Sequence, residues 1–333
     1  MELYINIAAM TNGKLVISLD FEIYWGVRDA VKLENYKEHL LGVHQAIPLL
    51  LELFKKHNIS ATFATVGFLF FENKKELCSS LPGKKPQYSN PNLSPYNSHM
   101  QLIGVDEKND PYHFGLSLIE QIVEAGQEIG CHTFSHYYCL EKGQSKGEFK
   151  EDLIAARKIA EKNNIRLNSF VFPRNQYDKA YLGICNEMGF TSFRGNERSW
   201  LFSSKTQENG TTFRRPFRLL DAYLNLSGHN CYSFEQMKKF RPFNIASSRF
   251  LRPYTKRLKH FEDLRLKRIT KSMTYAAKNG LTFHLWWHPH NFGINISENF
   301  SFLEKILVHY QNLNREYGFE SVNMEQLANE LMK

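Results

Sequence analysis

The sharpest chemical signal in this sequence is Cys131-His132-Thr133-Phe134-Ser135-His136. Two histidines four apart fall on one face of a helical turn, so both rings can reach one ion. Neutral imidazole is a common ligand of zinc and related metals. The same spacing also arises in ordinary packing or surface histidines. A second signal is Asp20-Phe21-Glu22, directly after the apolar run Leu15 to Leu19. Residues two apart on a strand face the same side, so both carboxylates can converge on one pocket. One can ligate a metal and the other can take a proton from water. The plainer reading is a strand end entering a solvated loop, but carboxylates held in a buried setting need a partner or a metal.

The third signal is His284-Leu-Trp286-Trp287-His288-Pro289-His290-Asn291. Trp286 and Trp287 can wall a pocket and stack on a sugar ring, and His288 or His290 can act as general acid toward a leaving amine. The alternative is a core strand with incidental histidines. The fourth is Phe172-Pro173-Arg174 at another strand end. Arg174 there can pair with a carboxylate and hold it ionised, or it can be a plain surface arginine. Together these pieces form a two-histidine, one-carboxylate site with positions left for water and substrate, plus a base and an acid. That set suits hydrolysis of an amide or ester.

The surrounding pattern supplies elements to hold such a site. Strands are expected at 15–19, 61–65, 128–131, 169–172 and 281–287. Amphipathic helices are expected at 36–56, 116–125, 149–163, 181–188, 299–317 and 323–332. Strand and helix alternate, which argues for parallel strands with crossover helices, as a barrel or an open sheet. Asp20, His132, Arg174 and His288 all follow strands, where functional groups gather in such folds. The stretch 79–100 holds Pro82, Pro86, Pro91 and Pro95 among Ser and Asn, and reads as a long irregular loop.

The 333 residues fit one domain, 1–333, with a long loop at about 79–113 and a basic insertion at about 205–275. The five cysteines show no paired spacing, and the first residues lack a basic region leading into a long apolar run. A cytoplasmic protein without disulfides is therefore expected. Net charge is +8, yet residues 238–271 alone hold twelve Lys/Arg against two Asp/Glu. Phenylalanines and a tyrosine interleave this segment. It can dock on anionic lipid at the inner membrane face or grip a phosphate-bearing substrate, or it can be a solvated basic helix on the barrel. No nucleic-acid motif accompanies it, and no nucleic-acid partner is expected.

With these motifs in order, the chain resembles the polysaccharide deacetylase family, also called the NodB-homology or carbohydrate esterase 4 group. The resemblance rests on Ser18-Leu-Asp20-Phe-Glu22, His132-Thr-Phe-Ser-His136, the Arg174 region and Leu285-Trp-Trp-His288, and runs from Leu15 to about Gly293. It implies a distorted (β/α) barrel of seven or eight strands. Asp20 would match the catalytic base, and Glu22, His132 and His136 the ligands of a divalent metal, Zn2+ by preference. Arg174 would match the residue orienting the base, and His288 the general acid. Trp25, Trp286, Trp287 and His290 are the candidate substrate contacts. The family removes N-acyl groups, usually acetyl, from amino sugars in glycans or glycan precursors, so such a sugar is the expected partner. The chain departs from the family in having Asp-x-Glu for its usual acidic pair and Pro before Arg174. The motif that supports the acid histidine has no clear counterpart, with Arg194 or Trp200 as stand-ins. These departures feed a rival reading, a catalytically degenerate carbohydrate-binding protein of the same fold.

Overall fold

The computed structural model describes residues 12–202 and 214–333. Strands β1 (Lys14–Phe21), β2 (Ala61–Thr65), β3 (Glu128–Cys131), β4 (Ser169–Val171), β5 (Ser192–Arg194), β6 (Phe243–Asn244), β7 (Arg249–Phe250), β8 (Thr282–Trp287) and β9 (Glu320–Ser321) form one sheet. Its main run has the order β6-β5-β4-β3-β2-β1-β8-β7, every pairing parallel, and β9 adds beside the start of β1. This is the curled eight-strand (β/α) barrel that the resemblance implies. Helices connect the strands on the outside: α1 (Val43–His57), α2 (Leu116–Glu124), α3 (Lys146–Lys162), α4 (Lys179–Glu187), α5 (Arg214–Asp221), α6 (Glu262–Lys278), α7 (Ile296–Tyr317) and α8 (Met324–Met332). The expected helix at 36–56 is divided at Gly42, with a short turn of helix before it.

The edge strands β6 and β7 do not pair. The four residues between them bridge the gap instead. Ile245 N–H donates to the Phe193 carbonyl and Ser247 N–H to that of Gly195, on the β5 side. Ser248 N–H donates to the His284 carbonyl, on the β8 side. These bonds carry the β5 and β8 ladders past the ends of the two short strands. This bears on the expected basic insertion at 205–275. Residues 243–250 supply two strands of the barrel and 262–278 its crossover helix, so much of that segment belongs to the fold itself.

β1 shows how period two sets inside from outside. Leu15, Ile17, Leu19 and Phe21 join the main apolar core beneath the helices. Val16 faces inward and packs with Ala64, Val171, Ile245 and the α8 residues Met324, Leu327 and Leu331, closing one end of the barrel. Ser18 and Asp20 follow Val16 on the inward face. The interior therefore passes from apolar at one end to polar at the C-terminal end of the strands. Each large side chain in the outer core contributes roughly 1.5–3 kcal/mol of burial.

Candidate active site

Asp20 ends β1 on the inward face, buried at 4% exposure. Its carboxylate accepts a two-pronged pair from Arg194, Nη1 to Oδ1 at 2.6 Å and Nη2 to Oδ2 at 2.7 Å. Arg194 stands at the end of β5, fully buried, with its guanidinium 4.1 Å from the centre of the Trp286 ring. Nη1 also donates to Ser18 Oγ (3.0 Å) and Nη2 to Asn175 Oδ1 (3.1 Å). Burial pushes the Asp20 carboxyl up, but the charge and hydrogen bonds of Arg194 outweigh it and leave it below the usual carboxylate range. Asp20 is therefore held ionised.

Glu22 lies just past the strand. Ile23, with φ of 43°, turns the chain sharply there, a costly conformation for a β-branched residue and of the kind that gathers at working sites. Gly26 gives the Glu22 side chain its space, because a Cβ on Gly26 would sit 1.9 Å from the Glu22 carboxyl. The Glu22 Oε2 atom is 3.2 Å from His132 Nε2 and 3.0 Å from His136 Nε2. One ligand atom from each residue lies within 4.8 Å of the others. Burial raises the Glu22 carboxyl, but protonated forms of His288, His136 and His132 around it, in the absence of a metal, carry it well below the ordinary value.

The two histidines do not share a helical turn as their spacing predicts. Residues 132–138 form a loop in which Thr133 (φ 63°) and His136 (φ 59°) are left-handed. The loop is pinned from α3 by buried Asp152, which accepts from Phe134 N–H (2.7 Å) and Ser135 Oγ (2.5 Å). On the other side Gly67 N–H donates to the Thr133 carbonyl and Phe68 N–H to that of Phe134. His132 Nδ1 lies 2.8 Å from the Val171 carbonyl, so that nitrogen carries the hydrogen and Nε2 presents its lone pair to the site. His136 Nδ1 contacts the Tyr138 hydroxyl at 3.1 Å. Burial lowers the His136 pKa against the opposing charge of Glu22, which favours the neutral ring a metal needs. Two imidazoles and a buried carboxylate whose only ion-pair contacts among the described residues are to histidines fit a divalent cation.

His288, just after β8, faces this set with its side chain 23% exposed. Its Nε2 is 3.5 Å from Glu22 Oε1 and 3.8 Å from Asp20 Oδ2. The expected alternation along β8 explains its company. His284, Trp286 and His288 face inward, whereas Phe283, Leu285 and Trp287 face the helices.

Four expected placements are corrected by the structure. Arg174 does not reach Asp20. It pairs with Asp29 Oδ2 at 2.5 Å and lies over the Tyr138 ring at 4.4 Å, so it stands behind His136, and Arg194 holds Asp20. Trp25 is buried in the core, its Nε1 donating to the His113 carbonyl, and cannot meet substrate. Trp287 is likewise buried, against Phe54 and Phe292. His290 is buried behind His288, stacked on it at 4.9 Å, and burial takes its pKa down to about 3. It backs the acid candidate instead of touching substrate. Of the expected substrate contacts, Trp286 remains, beside Phe250 and His288.

Asp152, Asp29, Tyr138 and Gly26 were not legible in the sequence as site residues. Nor was His284 as a support. Its Nε2 accepts from Ser18 (2.8 Å) and its Nδ1 faces the Ile245 carbonyl (2.9 Å). Ser18 in turn accepts from Arg194, so the Arg194–Asp20 pair rests on a directed chain of hydrogen bonds.

Comparison with known proteins agrees with this architecture. The sequence model of the polysaccharide deacetylase family matches residues 41–193, a stretch that holds His132 and His136. Among solved structures, a protein of Mycobacterium smegmatis assigned as a polysaccharide deacetylase superposes with a TM-score of 0.59 at 11% identity, covering 98% of this chain and 92% of that one. One of Pseudomonas aeruginosa PAO1 with the same assignment gives 0.54 at 11% identity, covering 95% and 89%. Puue allantoinase gives 0.53 at 9%, covering 97% and 91%. At these identities the likeness is one of fold. No curated protein sequence matches the chain. Residues 41–193 thus match the polysaccharide deacetylase family, and the fold of the chain is that of structures assigned to it.

Proposed function

We propose that the protein is a metal-dependent hydrolase that removes an N-acyl group, acetyl or formyl, from an amino sugar in a glycan or glycan precursor. The observation that carries this reading is the pairing of two carboxylates in unlike settings: Asp20 locked on Arg194, and Glu22 set among histidines. Glu22, His132 and His136 would hold a divalent metal, Zn2+ by preference, which when bound polarises the scissile carbonyl and its attacking water. Asp20, ionised by Arg194, accepts the proton of that water. Arg194 fixes both carboxylate oxygens, so the base cannot rotate away. His288, partly exposed and facing both carboxylates, delivers a proton to the departing amine nitrogen. Trp286 and Phe250 form the apolar wall beside His288, against which the sugar or its acyl group would rest.

The test is metal content after reconstitution with zinc, measured together with acetate and formate release from a panel of N-acylated amino sugars. Wild type should bind metal and turn over. His132→Ala should lose the metal. Asp20→Asn should keep it and lose turnover by about 10²–10⁴-fold. Wild type that binds the sugars without releasing acid would instead mark a carbohydrate-binding protein.

A further inference from the structure

We infer that the face built by the connections leaving β5 and β7 docks on an anionic lipid bilayer. Large apolar side chains are exposed there together. Leu220, Leu224, Leu226, Phe261 and Leu264 are each 42–52% exposed. They come from two stretches, α5 with its following loop and the start of α6 with the turn before it. The rings of Tyr223 and Phe261, 6.1 Å apart, join the two.

This surface is rigidly built. Buried Asp221, at the end of α5, accepts from Arg249 of β7 (2.8 Å) and lies 3.6 Å from Arg268 of α6. It also accepts from the backbone of Leu226 and Ser227, which orders the loop carrying the leucines. Leucines held outward on a fixed frame are not a frayed end that will fold back. A monomer that keeps such a patch in water does so for a partner.

The charge around the patch selects that partner. Arg215, Lys256, Arg257, Lys259 and Lys267 are exposed along it. Of the two acids at the start of α6, Glu262 is engaged by Arg265, which leaves Asp263. Apolar side chains ringed by cations match the acyl and headgroup layers of an anionic leaflet. A second copy of this chain would bring the same cations face to face and be repelled. A nucleic acid would gain nothing from bared leucines. No helix among the described residues is long and apolar enough to cross a membrane.

The place of the patch adds to the argument. Both connections leave the C-terminal ends of their strands, the end that carries Arg194 on β5. There Phe250 on β7 lies 5.9 Å from His288. A bilayer on this face borders the mouth of the site.

The test is sedimentation of the full chain with vesicles of phosphatidylcholine alone or mixed with phosphatidylglycerol. Two variants accompany it, Leu220→Asp with Leu224→Asp, and Lys256→Glu with Arg257→Glu and Lys259→Glu. Wild type should sediment with the anionic vesicles, fail to do so with the neutral ones, and be released by salt. The charge variant should bind roughly a hundredfold more weakly. Unchanged unfolding midpoints establish that the variants fold. Unchanged acid release from a soluble N-acyl sugar separates this surface from the catalytic site. No sedimentation, equal binding to neutral vesicles, or binding indifferent to both variants would overturn the inference. So would a dimer in solution that the leucine variant splits, since the patch would then be covered by a second copy.

Discussion

At the scale of single residues, the site turns on what surrounds each carboxylate. Arg194 makes two parallel hydrogen bonds to Asp20, a geometry lysine cannot reproduce. Arg194→Lys should therefore lower turnover by about 100-fold with metal content unchanged. Arg174→Ala, which touches Tyr138 and Asp29 and not Asp20, should lower it by less than about tenfold; steady-state rates on one N-acyl sugar compare the two. Gly26→Ala tests the other carboxylate. The added methyl claims the space of the Glu22 carboxyl, so bound metal should fall while the fold persists, as metal analysis beside circular dichroism would reveal. The acidic pair and the His132–His136 motif were legible because both are local. Arg194, read only as a stand-in supporting the acid histidine, was not legible as the partner of Asp20, because β5 is three residues long and a single arginine at its end carries no periodic signal. Its role comes from lying across the barrel from Asp20, 174 residues away in sequence.

At the scale of elements, the histidine loop depends on α3 and not on helical spacing. Asp152 supplies acceptors to two successive residues of that loop from a buried position. Asp152→Ala should weaken metal binding by about 10–100-fold and destabilise the chain by about 1–3 kcal/mol, read by metal titration and by denaturant unfolding. A second buried carboxylate gives a pH signature. Glu128 begins β3, accepts from Thr62 and Ser169 and from the backbone N–H of Glu325 in α8, and burial pushes its pKa up from 4.5 to about 7. Between those values the native state holds a proton that the unfolded chain releases, so Glu128 costs stability as pH rises through that window. Glu128→Gln lacks this slope. The unfolding free energy of wild type minus that of the variant should fall from about pH 4.5 to about pH 7 and then level off. A difference that stayed flat or rose would refute the assignment. The long strands and helices were legible from their apolar periodicity. β5, β6, β7 and β9, two or three residues each, were not, because hydrogen bonds to neighbouring strands define them and no hydrophobic pattern does.

At the scale of the whole molecule, curling the sheet decides which of two adjacent tryptophans meets the site. Trp286 faces the barrel interior beside Arg194 and His288, while Trp287 packs under the helices. Trp287→Ala should cost about 3–5 kcal/mol of stability. Trp286→Ala should cost less and act mainly on turnover; paired unfolding and rate measurements on both variants test this.

The sequence by itself determined the alternation of strand and helix, the family resemblance, and the acidic and histidine motifs, all of which are written in contiguous residues. The tertiary structure alone decided that Arg194 and not Arg174 grips Asp20, and that Trp25, Trp287 and His290 are buried. It also decided that residues 243–250, within a segment read as an insertion, supply the two edge strands of the curled sheet. Each of those outcomes depends on which strands become neighbours and which face turns inward. Both are set by packing between residues far apart in the chain, where no local pattern reaches.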